Sequence, residues 1–186
     1  MLTARELSAA FHGCLRLVKF HVDGFDAFDG SLDGFWRSFL AAALVAPVYV
    51  VILALSTEPR GDDLIHYALV QAIAYVITWV AYPLLMERVV RMLDRQHRYF
   101  RYFAAYNWFH GLQTLAVILP LSLLGTMLPS ALLNPLTLVV LGTLLFYDWF
   151  LATRGLLVDG LTGAALVIID FLLSLVINGV AEQMSK

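Results

Sequence analysis

Val158-Asp-Gly-Leu-Thr-Gly-Ala-Ala-Leu-Val-Ile-Ile-Asp170-Phe-Leu-Leu-Ser-Leu-Val-Ile-Asn-Gly-Val-Ala181 holds a single ionisable side chain beyond its first turn, Asp170. A helix needs about 20 mostly apolar residues to cross about 30 Å of hydrocarbon, and this stretch meets that length. Four more do so upstream: Phe35–Ser56, Leu64–Met86, Ala104–Leu128 and Leu132–Ala152. Loops and open strands would strand unpaired backbone groups in lipid, so helices are the only spanning structure these stretches can adopt. The chain therefore reads as an all-α polytopic membrane protein with five transmembrane helices. Pro47, Pro83 and Pro120 would kink the first three spans. Pro135 falls in the first turn of the fourth, where a missing N–H costs little. Gly125 to Ser130, with Pro129, separates the third span from the fourth.

The composition agrees. Of 186 residues 61% are apolar and 14% charged, with mean hydropathy +0.80, whereas soluble domains carry about 45–50% and about 25%. Disordered chains, disulfide scaffolds and soluble Rossmann or barrel enzymes are excluded. The one cysteine, Cys14, cannot form an intrachain disulfide or a multi-cysteine metal site.

The basic residues set the orientation. Arg5, Arg16, Lys19 and Arg37 precede or open span one; Arg88, Arg91, Arg95, Arg98 and Arg101 fill the second connection; Arg154 lies in the fourth. Only Arg60 and Lys186 fall on the other side, so the positive-inside rule places the amino terminus in the cytoplasm and the carboxyl terminus outside. The tryptophans, Trp36, Trp79, Trp108 and Trp149, sit near the cytoplasmic ends of their spans, as an interfacial belt would. A multi-pass protein of the cell (inner) membrane is expected.

Residues 1–34 form a cytoplasmic segment, and 35–183 the five-helix domain. The segment has no uninterrupted apolar core of a secretory signal. Leu7, Phe11, Leu15, Val18, Val22 and Phe25 recur at helical spacing, with Arg5, His12, Arg16 and Lys19 off the stripe. Thr3 and Glu6 have capping-box spacing. An amphipathic helix follows, lying in the membrane interface or packed on the bundle. Asp23, Asp26, Asp29 and Asp33 come next, at steps that miss the calcium-loop pattern of every second position and a closing glutamate. An acidic turn, with Asp33 capping span one and its charge within reach of the second connection, is the simpler reading.

In that connection Arg88, Arg91, Arg95 and Arg98 step as one ridge of a helix continuing from span two, with Glu87–Arg91 and Asp94–Arg98 as i,i+4 pairs and Arg101 beyond. The ridge enforces topology; it could also grip anionic lipid or an acidic protein partner. Nucleic acid is a poor fit for a ridge lying flat on the bilayer.

Ionisable groups at membrane depth are functional candidates. Asp170 is a proton or cation site, or an interhelical strut. Gln113, Thr114, Thr143, Tyr75 and Thr78 come to similar depth on their own helices. His110 and Asp148 form a second pair, in which the carboxylate would fix the imidazole tautomer. With no serine nucleophile beside them they make weak catalysts, and with His97 or Glu87 they match no metal-binding spacing. No cofactor is expected: phosphate-binding, dinucleotide, zinc-protease and hydrolase motifs are missing. Five spans do not divide into two equal inverted repeats, which counts against a monomeric secondary transporter, although a homo-oligomer such as a homodimer could still build a pore.

The cytoplasmic amino-terminal segment, five closely spaced helices and outward carboxyl end resemble the Yip1-domain membrane proteins and their bacterial relatives. Phe35-Trp-Arg-Ser-Phe-Leu-Ala-Ala42 at the opening of span one and the late polar Asp170 are similar to bacterial proteins of this kind. The family's acidic Asp-Leu-Tyr-Gly-Pro motif is not present, so no site residue carries over. The resemblance implies a non-enzymatic scaffold or interaction module working through partners. The alternative is a small transporter or channel subunit with Asp170 as its proton or cation site.

Overall fold

The computed structural model describes residues 4–55 and 64–185. Within them the chain is helical, with no strand, and five helical segments are long and apolar enough to cross a membrane: Leu32–Leu55, Leu64–Met92, Gln96–Gly125, Ser130–Leu156 and Gly160–Met184. They extend the expected spans mainly at one end, because polar and aromatic turns at 32–34, 87–92, 96–103 and 153–156 stay helical beyond the apolar runs. The expected end of span one at Ser56, the first connection with Arg60, and Thr3 of the capping box lie outside the described residues.

α1 (Ala4–Val18) is shorter than its stripe suggests. Phe20 takes a left-handed φ of 59° and the chain turns into a 3₁₀ segment at Val22–Ala27. The stripe splits there. Leu7, Phe11, Leu15 and Val18 stay exposed, whereas Phe25, one turn beyond the break, is buried. The inward face of α1 is a different set, Ala10, Gly13, Cys14 and Leu17. Burial pushes the Cys14 thiol up to about 12, so it is a packing group and not a nucleophile.

α2 (Leu32–Ser38) and α3 (Leu40–Leu55) together make the first apolar segment. The cap of α2 is Ser31, whose hydroxyl accepts from the Gly34 N–H at 3.0 Å. The expected cap, Asp33, instead sits in the first turn. α4 (Leu64–Met92) stays helical through Pro83. α5 (Tyr99–Gln113) passes through a π-helical turn at Thr114–Ile118 into α6 (Leu119–Gly125). Pro120 causes that widening: it has no N–H for the Ala116 carbonyl, and the ladder opens until Leu119 N–H reaches the Thr114 carbonyl. α7 (Ser130–Leu156) starts earlier than expected, from Pro129, which moves Pro135 out of the first turn into the helix body. α8 (Gly160–Met184) is capped by Asp159, whose carboxylate accepts from Leu161 and Thr162 N–H, both at 3.1 Å.

α5 is the axis of the bundle, touching α1, α2, α3, α4 and α7, while α8 packs on α4 and α7. The core is concentrated at one end, where α1, the α4–α5 turn and the α7–α8 turn meet. There Leu17, Phe25, Met86, Tyr102, Phe103, Phe109, Leu151 and Leu156 are all buried together. At the other end the buried cluster, among the described residues, is Val70, Ala74 and Ala181. Between the two ends the helices leave a cavity.

Candidate functional site

α5 brings Tyr106, His110, Gln113 and Thr114 to one face, since residues three and four apart share a helix side. Asp148 faces them from α7, and Asp170, Ser174 and Asn178 from α8; all line one cavity of about 420 Å³. Tyr75 and Thr78 of α4 and Tyr49 of α3 complete its polar lining, among leucine, isoleucine, valine, phenylalanine and tryptophan walls. The cavity volume and the few convergent polar groups in an apolar wall are those of a small-ligand site.

The cluster inside it is built around Tyr106. The Tyr106 hydroxyl donates to Asp170 Oδ2 at 2.5 Å. Its backbone carbonyl lies 3.1 Å from His110 Nδ1. A carbonyl can only accept, so Nδ1 carries the proton and Nε2 of the neutral ring is the free lone pair. The imidazole is also packed on the Tyr106 ring, with centroids 3.9 Å apart. His110 Nε2 faces Asp148 Oδ1 at 3.6 Å, too long for a hydrogen bond, so in the neutral ring two lone pairs face each other across that gap. Donor atoms of His110, Asp148 and Asp170 lie within 4.8 Å of one another. Asp148 Oδ1 and Gln113 Nε2 are buried without a hydrogen-bond partner, a condition that native proteins reserve for few groups.

The two constellations expected from sequence are thus one. Counting depth from the ends of apolar runs separated Asp170 from the His110–Asp148 pair; α5 and α7 run further than those runs, and the three side chains meet. Gln113, Tyr75 and Thr78 join them. Thr143 does not: it lies outside the residues that line the cavity. Tyr106 is the member that sequence reasoning passed over, although its i,i+4 spacing to His110 was a signal. Asp170, Ser174 and Asn178, at the same spacing on α8, were another.

The arginine ridge does not form as one surface. α4 ends at Met92, Asp94 turns the chain with φ 55°, and a 3₁₀ turn at Gln96–Arg98 leads into α5. Arg91 pairs with Glu87 as expected. Arg95 instead donates to the Leu157 carbonyl at 3.2 Å, tying this turn to the α7–α8 turn. Asp94 accepts from Gln96, not Arg98, and Arg98 Nε is buried. Arg101 reaches Asp26 at 3.2 Å, the expected link between the acidic segment and this connection. Arg88 and Arg91 remain exposed. The acidic residues go separate ways: Asp23 to Arg16, Asp26 to Arg101, and Asp29 to Ser31, whose hydroxyl and N–H hold its carboxyl below the usual range. They do not converge on a calcium site.

Comparison of the chain with family models, with curated proteins and with solved structures finds no match.

Proposed function

We propose that this chain is an integral membrane protein whose central cavity is the cation-binding site of a small transporter or channel subunit. The observation that carries the reading is the convergence of His110, Asp148 and Asp170, from three different helices, on one cavity within the apolar bundle. Ionisable side chains are costly in such a setting and are retained for ions and protons to use. Two carboxyls against one imidazole select for positive charge.

Insertion in a membrane is supported by what the helices leave outside. Val50, Leu138 and Val176 are 63%, 68% and 62% exposed, and many other large apolar side chains accompany them. In water such a surface would aggregate; in lipid it costs nothing. The distribution of basic residues supports a cytoplasmic amino terminus in the inner membrane.

The test is charge movement in proteoliposomes on a supported membrane. Jumps of Na⁺, K⁺, Mn²⁺ or Zn²⁺ should give a transient current with wild type for at least one ion, lost in Asp170→Asn. No current from any of them, or the same current in the variant, would refute the reading.

A second reading, as a non-enzymatic scaffold of the Yip1-domain kind, draws on the surface at the arginine end. The exposed Leu7, Phe11, Leu15 and Val18 on α1, together with the exposed Arg88 and Arg91 of α4, suit anionic headgroups or a protein partner. On this reading, native mass spectrometry should find anionic phospholipid retained by wild type and lost from the Arg88→Gln, Arg91→Gln double variant.

A further inference from the structure

We propose that His110 Nε2 and carboxylate oxygens of Asp148 and Asp170 bind one divalent transition-metal ion, facing the cavity. The inference rests on the cavity being the working site, and it names the cation.

Three observations lead to it. The first is donor geometry. Ligands around a tetrahedral ion at about 2.1 Å stand about 3.4 Å from one another, and His110 Nε2 and Asp148 Oδ1 are 3.6 Å apart. One ligand atom from each of His110, Asp148 and Asp170 lies within 4.8 Å of the other two, so Asp170 stands close enough to supply the third donor.

The second is the support around the ligands. Histidines that bind metals nearly always donate their other ring N–H to a carbonyl or carboxylate, and ligating carboxylates are themselves hydrogen-bonded. Tyr106 provides both services: its carbonyl fixes Nδ1–H of His110, so that Nε2 is bare toward Asp148, and its hydroxyl holds Oδ2 of Asp170, leaving the other oxygen to turn inward. Asp148 Oδ1 is buried and makes no full hydrogen bond, although the Gln113 amide stands close by as a donor. A metal ion would satisfy it.

The third is charge and softness. Two carboxylates and a neutral imidazole carry two negative charges, which a divalent ion cancels and a monovalent ion leaves half uncompensated in a low-dielectric bundle. An imidazole donor favours the zinc, iron, nickel and copper class over magnesium or calcium, which prefer all-oxygen sets. Three protein ligands leave one position open to the cavity, as in sites that exchange a ligand.

The experiment uses the full chain, stripped with chelator and reconstituted in nanodiscs. Co²⁺ is the spectroscopic probe and Zn²⁺ the competitor. Wild type should take up one Co²⁺ per chain, with the intense visible absorption of a tetrahedral site, and lose it to Zn²⁺. Asp148→Asn and His110→Gln should abolish the band. Tyr106→Phe should weaken binding about 10- to 100-fold, as loss of an outer-shell partner does, while Asp26→Asn, outside the bundle, should leave it unchanged. Far-ultraviolet circular dichroism confirms that each variant is folded. No band in wild type, or a band that survives in both ligand variants, overturns the proposal. The transient currents separate this outcome from the parent reading. A Na⁺ or K⁺ current without a Co²⁺ band would sink the metal and leave a cation site; a Co²⁺ band without any current would keep the metal and sink transport.

Discussion

Asp170 accepts its hydrogen bond from a tyrosine that is itself nearly buried, and this sets what its replacement does. Asp170→Asn keeps an acceptor oxygen for Tyr106 and should leave thermal stability in nanodiscs close to wild type. Asp170→Leu strands the hydroxyl, and a buried polar group left without a partner costs about 1–3 kcal/mol; the unfolding midpoint should fall accordingly. A Leu variant as stable as wild type would mean that the Tyr106 bond contributes nothing. At this scale the sequence was informative about identity and poor about company. Asp170, His110, Asp148 and Gln113 stand out because polar groups in apolar runs are rare. Their meeting was not readable, because helix ends fixed by apolar composition stop short of the aromatic and polar turns that continue α5 and α7. Tyr106 escaped because a tyrosine among aromatics at 99–109 looks like packing until the i,i+4 relation to His110 is drawn.

Helices are where local chemistry and tertiary packing compete most visibly. α7 carries two glycines in opposite circumstances. A Cβ at Gly155 would lie 2.8 Å from the Tyr102 ring and 3.0 Å from that of Phe25, whereas one at Gly142 would meet nothing within 4 Å. Alanine in a helix interior is worth about 1 kcal/mol over glycine, while overpacking costs about 1–3 kcal/mol. Gly142→Ala should therefore raise the unfolding midpoint and Gly155→Ala lower it. Equal effects would show that the aromatic contacts around Gly155 yield freely. At the start of α8, hydrogen bonds from Thr162 and Leu161 hold the Asp159 carboxyl below its usual range. A depressed folded value means stability that is present above the unfolded carboxylate value and lost as pH falls through the folded one. Asp159→Ala should thus melt earlier than wild type at neutral pH, and the gap should vanish on acidification; a gap that persists in acid would place the effect elsewhere. Two elements resisted sequence reasoning for one reason. The α1 stripe and the arginine ridge both keep helical spacing across a break, and in each case a non-glycine residue with positive φ, Phe20 or Asp94, turns the chain because buried partners on either side reward the turn.

Seen whole, the molecule has one dense end and one open end, and the basic residues crowd the dense one. Positive-inside orientation then predicts that a protease-cleavable tag after residue 186 is cut in right-side-out spheroplasts, while the same tag before residue 1 is protected. The reverse pattern would invert the topology and with it the side from which the cavity is approached. The span count and the separation of spans three and four were legible from length and proline placement alone, because the membrane imposes a single length rule. The lopsided core was not, since it depends on contacts between residues more than a hundred apart. That lopsidedness bears on the order of events during synthesis. The Val18 carbonyl is held by the Tyr147 hydroxyl, Phe20 stacks on Tyr147 and meets Phe150 edge to face, and Phe25 lies against Gly155. α1 therefore meets its first large partner in α5, within the third span, but the turn that follows it is seated only once the fourth span has been translated, so this end of the bundle closes late.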